Sequence, residues 1–523
     1  MSTSVGHPVD SGAGGGSSSR AGAAGPASSA SSASPAGSAG PAGTAGGKPA
    51  GLRPSKLQWF ILLTILGADV MDLLDSTIVN VAAPSIARDL HASGSQLQWV
   101  IAGYTLAMAA ALITGGRLGD LYGRRRMFLV GIGAFTLFSA LSSAAADPQL
   151  LIAARALQGL AAAVMLPQGL AIIRSVFPAD QAGAAMGIFG PVMGLAATLG
   201  PIVGGALVQA DLFGSQWRSV FWVNVPLGLV AFVCAWRVVP RDKAHGPDAP
   251  TLDVVGMLLS GLAMLLLVYP LIQGRDRGWP AYMFVMMAAS APAFAAFGFQ
   301  QRARQRRGRT PLVTPSLFGK RAFSGGLVFA VFFFAGMGAL FLVLMLHIQL
   351  ALGYSSLHAG LTGVPFSLGA AVGAGLGGGL LAPRYGRAVL HAGVVLMAAG
   401  LGWVAWTVHA AGGSLSSWDL APSYGFCGLG MGLLIASYFT AVISAVDDEE
   451  TGTAGGVLNA VQQLANSLGV ALFGTLYFDS LQAGHTSVSA TSSTLLYAGI
   501  ATLLCIPLGF LLPKHVRPGV EAH

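Results

Sequence analysis

Charge is what this chain has least of. Charged residues make up 9% of its 523 positions, with 28 Lys and Arg against 20 Asp and Glu, while hydrophobic residues make up 54%. A soluble domain carries about 25% charged residues, so this sequence cannot build a water-facing surface of ordinary extent. Cysteine is also nearly missing. Cys234, Cys427 and Cys505 lie far apart inside apolar runs with no CxxC spacing, which argues against a disulfide framework or a metal centre. There is no GxxxxGK[ST] phosphate loop to use ATP, and no HExxH or GxSxG in an apolar run to make an intramembrane hydrolase. Residues 1–50 have hardly any charge and no apolar run, and are almost wholly Ser, Ala, Gly and Pro. Such a segment buries too little to offset its ordering entropy and reads as disordered. Without an apolar h-region it is not a signal peptide.

What remains is long hydrophobic segments. About 20 apolar residues cross the hydrocarbon core. Spans are expected at 58–83, 97–116, 127–146, 150–173, 183–209, 219–239, 252–272, 280–300, 322–345, 357–381, 388–410, 420–444, 453–478 and 493–513. The fold class is therefore all-α and integral to the membrane, with fourteen transmembrane helices. Trp59, Trp99, Trp217, Trp236, Trp279 and Trp418 fall at or near span ends, where interfacial anchors belong. An even count puts both termini on one side. That side then receives all of the 28 basic residues but five, namely Arg88, Arg155, Arg218, Arg275 and Arg277. The positive-inside rule makes it the cytoplasm, and the net charge of +8 needs no nucleic-acid partner.

The chain also repeats itself. Gly116-Arg117-Leu118-Gly119-Asp120-Leu121-Tyr122-Gly123-Arg124 follows span 2, and Gly379-Leu380-Leu381-Ala382-Pro383-Arg384-Tyr385-Gly386-Arg387 follows span 10. Two related six-helix halves with two helices inserted between them are a transporter architecture. The expected organisation is a cytoplasmic tail over 1–55, an N-terminal bundle over 56–240, inserted helices over 241–301, a basic linker over 302–321, a C-terminal bundle over 322–513 and a tail over 514–523.

Several polar groups are out of place in hydrocarbon. Asp69, Asp72 and Asp75 recur every three residues and so share one face of span 1. A carboxylate at mid-bilayer costs on the order of 2.5–3.5 kcal/mol even on the lenient insertion scale. These three must face water or a basic partner, and Arg155 in span 4 is the nearest candidate. Together they have the chemistry of a coupled proton-exchange site, or of an ion pair that braces helices. Gln158 shares the face of Arg155. Asn459, Gln462, Gln463 and Asn466 form a stripe on span 13 that suits a cavity lining or helix–helix hydrogen bonds. Asp120, set between glycines beside Arg117, Arg124, Arg125 and Arg126, suits a switchable charge latch at the cytoplasmic rim. His347 and His391 read as rim residues, and Asp447-Asp448-Glu449-Glu450 as a solvated cytoplasmic turn.

Here the motifs resemble a known family. Gly116, Arg117, Gly119, Asp120, Gly123, Arg124 and Arg125 match the loop 2–3 signature of the major facilitator superfamily, and Arg155-x-x-Gln158-Gly159 its span-4 motif. Gly187-x8-Ala196-x3-Gly200-Pro201-x2-Gly204-Gly205 is similar to its antiporter motif, with Ala196 in place of a usual glycine. Leu74 to Ala82, which includes Asp75 and Asn80, and the stretch from Trp217 to Pro226 resemble the fourteen-span drug:proton antiporter branch. The resemblance implies a proton-coupled exporter, not an enzyme, in the cytoplasmic membrane of a bacterium. It implies alternating access, with no cofactor beyond the proton gradient. It also implies an amphiphilic or cationic small-molecule substrate, a monomer in the lipid bilayer, and a hinge or seal of the cytoplasmic side at Gly200-Pro201. The alternative on the same fold is a proton-coupled uptake permease. Asn80, Gln158, Asn459, Gln462 and Asn466 are the expected cavity residues.

Overall fold

Backbone groups in hydrocarbon have no water to bond, so each apolar run must satisfy itself as a helix. The computed structural model describes residues 55–177, 192–193, 196, 199–211, 214–241, 252–447 and 450–514. It is all-helical among them. The helices are α1 (Lys56–Asp89), α2 (Gly94–Tyr122), α3 (Arg124–Ser143), α4 (Pro148–Val176), α5 (Leu199–Ala210), α6 (Gln216–Val238), α7 (Val254–Gln273), α8 (Ala281–Arg306), α9 (Arg321–Ala351), α10 (Ser356–Gly377), α11 (Arg387–Ser414), α12 (Ser417–Ile443), α13 (Thr451–Gln482) and α14 (Ser487–Gly509). Twelve are long and apolar enough to cross a membrane. The other two are α13, whose Asn and Gln residues lower its hydropathy, and α5. Residues 1–54, most of the expected fifth span with Gly187, and Asp448 and Glu449 lie outside the described residues.

Helix starts follow local chemistry. Ser55 and Ser93 open α1 and α2 with capping boxes completed by Gln58 and Gln96, and Asp147 caps α4 ahead of Pro148. The α2–α3 and α10–α11 turns both hinge on a glycine with positive φ, 99° at Gly123 and 52° at Gly386. A side chain is strained there, which is why the Tyr-Gly-Arg triplet recurs.

The packing of α1–α6 is repeated by α9–α14. α4 packs on α2 and α3, as α12 packs on α10 and α11; α6 packs on α3 and α1, as α14 packs on α11 and α9. The clasps recur too. Arg125 donates to the Trp236 carbonyl at the end of α6. Arg387 donates to the Phe510 carbonyl, just past α14, at 2.9 Å. The α7–α8 hairpin lies outside this pattern, with α7 against α2 and α13 and α8 against α7.

Four sequence expectations change. Trp217 is not an interfacial anchor. It is fully buried and donates Nε1 to Asp89 at 2.9 Å, because the first turn of α6 packs onto the end of α1. His347 lies near the end of α9 but is not an exposed rim residue. It is fully buried in a π turn, His347–Ala351, and its Nδ1 meets Ser487 Oγ at 2.9 Å. The acidic turn is not simply solvated, since Lys320 holds Asp447 and Glu450, each at 2.8 Å. The Lys320 ammonium keeps the Glu450 carboxyl below its usual value, with help from Ser316. Gly200-Pro201 is displaced in role, as the site geometry shows.

Candidate functional site

Helix α1 carries the charged centre. Asp69, Asp72 and Asp75 are 5%, 9% and 1% exposed, so none faces lipid. Arg155, on α4, forms an ion pair with Asp75. Gln158 donates to the same carboxylate at 3.0 Å and Asn224, on α6, at 2.7 Å. Gln158 also donates to Ser139 at 2.7 Å and accepts from Arg155 at 2.7 Å. The Arg155 guanidinium lies 4.1 Å from the Tyr104 ring centroid, a cation–π contact. Tyr104 in turn donates its hydroxyl to Asp72. Asp69 Oδ1 has no hydrogen-bond partner among the described residues.

The three carboxylates thus sit in three different environments. Asp75 is ionically paired and saturated with donors, Asp72 has a phenol, and Asp69 has an unpartnered oxygen. Arg155 is the one cation in the cluster among the described residues. Gln158 is fully buried in this network, so it serves Asp75 and does not open on a cavity. Tyr104, Ser139 and Asn224 carried no expected role in the sequence. Asn224 stands in a motif, but Tyr104 and Ser139 are single polar residues in apolar helices with no periodic signal.

The gate residues gather at the end of the bundle marked by Tyr122. Asp120 lies 3.9 Å from Arg117 and 3.5 Å from Arg124, and these are its ion pairs among the described residues. Arg124 also donates to the Ala171 carbonyl at 3.3 Å. A Cβ on Gly119 would collide with Gln168, whose Nε2 donates to the Gly115 carbonyl at 2.7 Å. The glycines therefore allow α2 to lie close against α4, with Gly116 at Pro167.

At the other end the two halves meet. Gly200 and Gly204 pack α5 onto Thr77 and Ile78 of α1, while Gly205 abuts the Ser356 carbonyl and Gly360 abuts the Pro201 carbonyl. Ser356 and Gly360 are in the first turns of α10, away from the Tyr122 end. The Gly200-Pro201 segment therefore joins the halves at the end opposite the gate motif, not at the gate-motif end expected for it. The symmetry-related seam joins α2 to α13. There Gln98 donates to the Val470 carbonyl at 3.1 Å and Thr105 meets Ser467 at 2.6 Å. Gln349 adds a bond to the Val81 carbonyl at 3.0 Å. Farther down the seam, Gln463 reaches Met108 Sδ at 2.9 Å and Asn466 reaches Gln463 at 3.4 Å. Asn459 is exposed, and Gln462, Asn466 and Asn80 are half-buried. Asn80 bonds the Ser76 carbonyl at 3.3 Å within α1.

Helices in two repeated sets around a buried carboxylate–arginine centre define a multi-span membrane transporter. The model of the Major Facilitator Superfamily matches residues 65–470, and the chain belongs to that family. A probable actinorhodin transporter of Streptomyces coelicolor is 47% identical over 84% of this chain and 76% of its own. A puromycin resistance protein of Streptomyces alboniger is 35% identical over 81% of this chain and 82% of its own. A tetracenomycin C resistance and export protein of Streptomyces glaucescens is 36% identical over 80% and 76%. Among solved structures, a POT family transporter shares the fold with a TM-score of 0.63 at 13% identity, covering 86% of this chain and 97% of its own.

Proposed function

We propose that this protein is a proton-coupled antiporter that exports a small organic molecule, an antibiotic or a similar amphiphile, across a bacterial cytoplasmic membrane. The observation that carries the reading is the buried face of α1, where three carboxylates lie in one row and only Asp75 is ion-paired, with Arg155, among the described residues. The names of the relatives support antibiotic efflux, and the excess of basic residues at the Tyr122 end supports cytoplasmic termini. The chain acts as a monomer made of two six-helix bundles, with α7–α8 inserted between them in sequence.

In this reading the structure is the conformer sealed at the outer end by α5–α10 and α2–α13, with Asp120 not clasped to the opposite half. Asp69 and Asp72 exchange protons with the cytoplasmic side, and Asn80, Gln462 and Asn466 line the substrate path with Asn459 at its mouth. Substrate and proton compete for the α1 carboxylates, so one leaves as the other binds. Reversal of the seal and formation of the Asp120 latch complete the alternation.

The test uses inverted membrane vesicles energised with a proton gradient, to which lipophilic cations and antibiotics are added. The expected result is gradient collapse with the wild type and none with Asp72→Asn or Asp75→Asn. Collapse undiminished in both variants removes Asp72 and Asp75 from the mechanism, and undiminished in Asp69→Asn as well it removes the α1 carboxylates altogether. Accumulation in cells driven inward by the gradient identifies an importer instead.

A further inference from the structure

Outside the charged centre, the structure contains a cavity of about 450 Å³ between the α7–α8 hairpin and the α2–α13 seam. It arises because α7 packs on the bundle while α8 packs on α7, so α8 stands off and leaves a gap beneath it. The walls are hydrocarbon and aromatic, with Ile113, Met264, Phe294, Phe297, Val461 and Leu464 among them. The volume falls in the range of ligand sites, about 300–1,000 Å³.

Its polar groups are few and distinctive. Gln301, in the wall, is fully engaged: its Nε2 donates to Asp253 at 2.7 Å and its Oε1 accepts from the Val313 amide at 3.1 Å. Thr114 is different. It lines the cavity at 5% exposure, and its Oγ1 has no hydrogen-bond partner among the described residues. Arg302, at the mouth, is exposed and has no ion-pair partner among the described residues. Arg302 follows Ala281, the first residue of α8, by a stretch that at 1.5 Å per residue spans about 30 Å, the thickness of the hydrocarbon core. It therefore stands one hydrocarbon thickness from the start of α8, with Phe297 and Phe294 about 8 and 12 Å nearer the middle of the helix.

We propose that this cavity holds one anionic phospholipid. Its phosphate pairs with Arg302, an ester carbonyl accepts from Thr114 Oγ1, and an acyl chain fills the space under Phe294 and Phe297. A cation at one end of an apolar wall that holds one unpartnered hydroxyl matches the headgroup, ester and acyl chain of such a lipid. Unpaired basic residues at the membrane surface select anionic headgroups. An apolar gap open to the bilayer fills with hydrocarbon, because water in it would have no partners. The lipid wedges the hairpin against the seam between the halves.

The test is photo-crosslinking of the full-length protein in vesicles, with phosphatidylglycerol or phosphatidylcholine carrying a diazirine in the acyl chain and adducts mapped by mass spectrometry. Adducts are expected to concentrate on Phe294, Phe297 and Met264, with phosphatidylglycerol favoured about fivefold at equal mole fraction. Arg302→Gln should abolish that preference and leave tail adducts in the cavity. A Cβ on Gly298 meets nothing within 4 Å, so Gly298→Phe should fill the cavity and remove adducts there while leaving those on exposed Val395 and Trp406 unchanged. Adducts spread evenly around the lipid-facing helices, or unaltered by Gly298→Phe, overturn the proposal. Displacement of the lipid by an excess of a transported compound overturns it too, and makes the cavity a drug site. Arg302→Gln, at the surface, keeps the question answerable if the larger substitution does not fold.

Discussion

Asp75 and Arg155 are joined in an ion pair whose side chains are 0% and 1% exposed. The hydrogen bonds from Gln158 and Asn224 leave Asp75 no need of water. A buried pair of this kind is tolerated only while it is whole. Removing one partner from a buried pair costs about 3–5 kcal/mol, whereas replacing both by apolar groups of similar volume is often neutral. Arg155→Leu should therefore lower the melting temperature of the purified protein sharply, and Asp75→Leu with Arg155→Leu should restore most of it. Neither protein should transport. An Arg155→Leu protein as stable as wild type would show that the pair is not what holds α1 to α4.

Tyr104 gives Asp72 its one side-chain hydrogen bond among the described residues. Hydrogen bonds to charged groups are worth about 1.5–3 kcal/mol. Tyr104→Phe should lower gradient-driven transport by roughly 10- to 100-fold while exchange of labelled for unlabelled substrate without a gradient persists. Equal loss of both activities would assign Tyr104 to packing or substrate binding.

Gly205 lies against the backbone carbonyl of Ser356. The backbone cannot step aside as a flexible side chain would, so Gly205→Val should destabilise the sealed end by about 1–3 kcal/mol. The readout is labelling of a Gln349→Cys reporter by a membrane-impermeant maleimide, with Cys234, Cys427 and Cys505 replaced. Labelling should rise several-fold over the same reporter with Gly205 intact. Unchanged labelling would mean that α5 and α10 do not form the seal.

The pairing of Lys320 with Glu450 and Asp447 should show in the pH profile of stability. The Glu450 carboxyl is held below its usual value by Lys320 and Ser316, and the Lys320 ammonium is held above its own by Asp447 and Glu450. A lowered acid contributes stability above its unfolded pKa, about 4.3 for Glu, and loses it as the pH falls through the folded value. The difference in melting temperature between wild type and Lys320→Met should be constant from about pH 5 to 8 and shrink below that. It should also shrink in high salt, because exposed pairs contribute about 1 kcal/mol or less.

The span pattern was legible because hydropathy alone dictates helices in lipid, and the repeat because Gly123 and Gly386 occupy backbone conformations that few other residues adopt. The three-residue spacing of the α1 aspartates was enough to place them on one buried face. Their individual partners were not legible. Tyr104 and Ser139 are isolated polar residues in apolar runs, and only the crossing of α2 and α3 over α1 and α4 brings them to the carboxylates. Trp217 and His347 misled for one shared reason. Position near a span end indicates depth in the bilayer, but not whether the chain turns inward or outward there. The end at which Gly200-Pro201 acts depended on its partner, α10, which no local pattern names.

The seam between the halves is held by neutral groups. Gln98 donates to the Val470 and Ala471 carbonyls and Gln349 to the Val81 carbonyl, all backbone groups of the other half. Such bonds contribute about 0.5–1.5 kcal/mol net, because water offers nearly the same partner once the halves part. Parting the halves would therefore exchange these bonds for equivalent ones to water, at little net cost in hydrogen bonding. An ionic pair at the same place would leave an uncompensated charge when the halves part, a cost that these amides avoid.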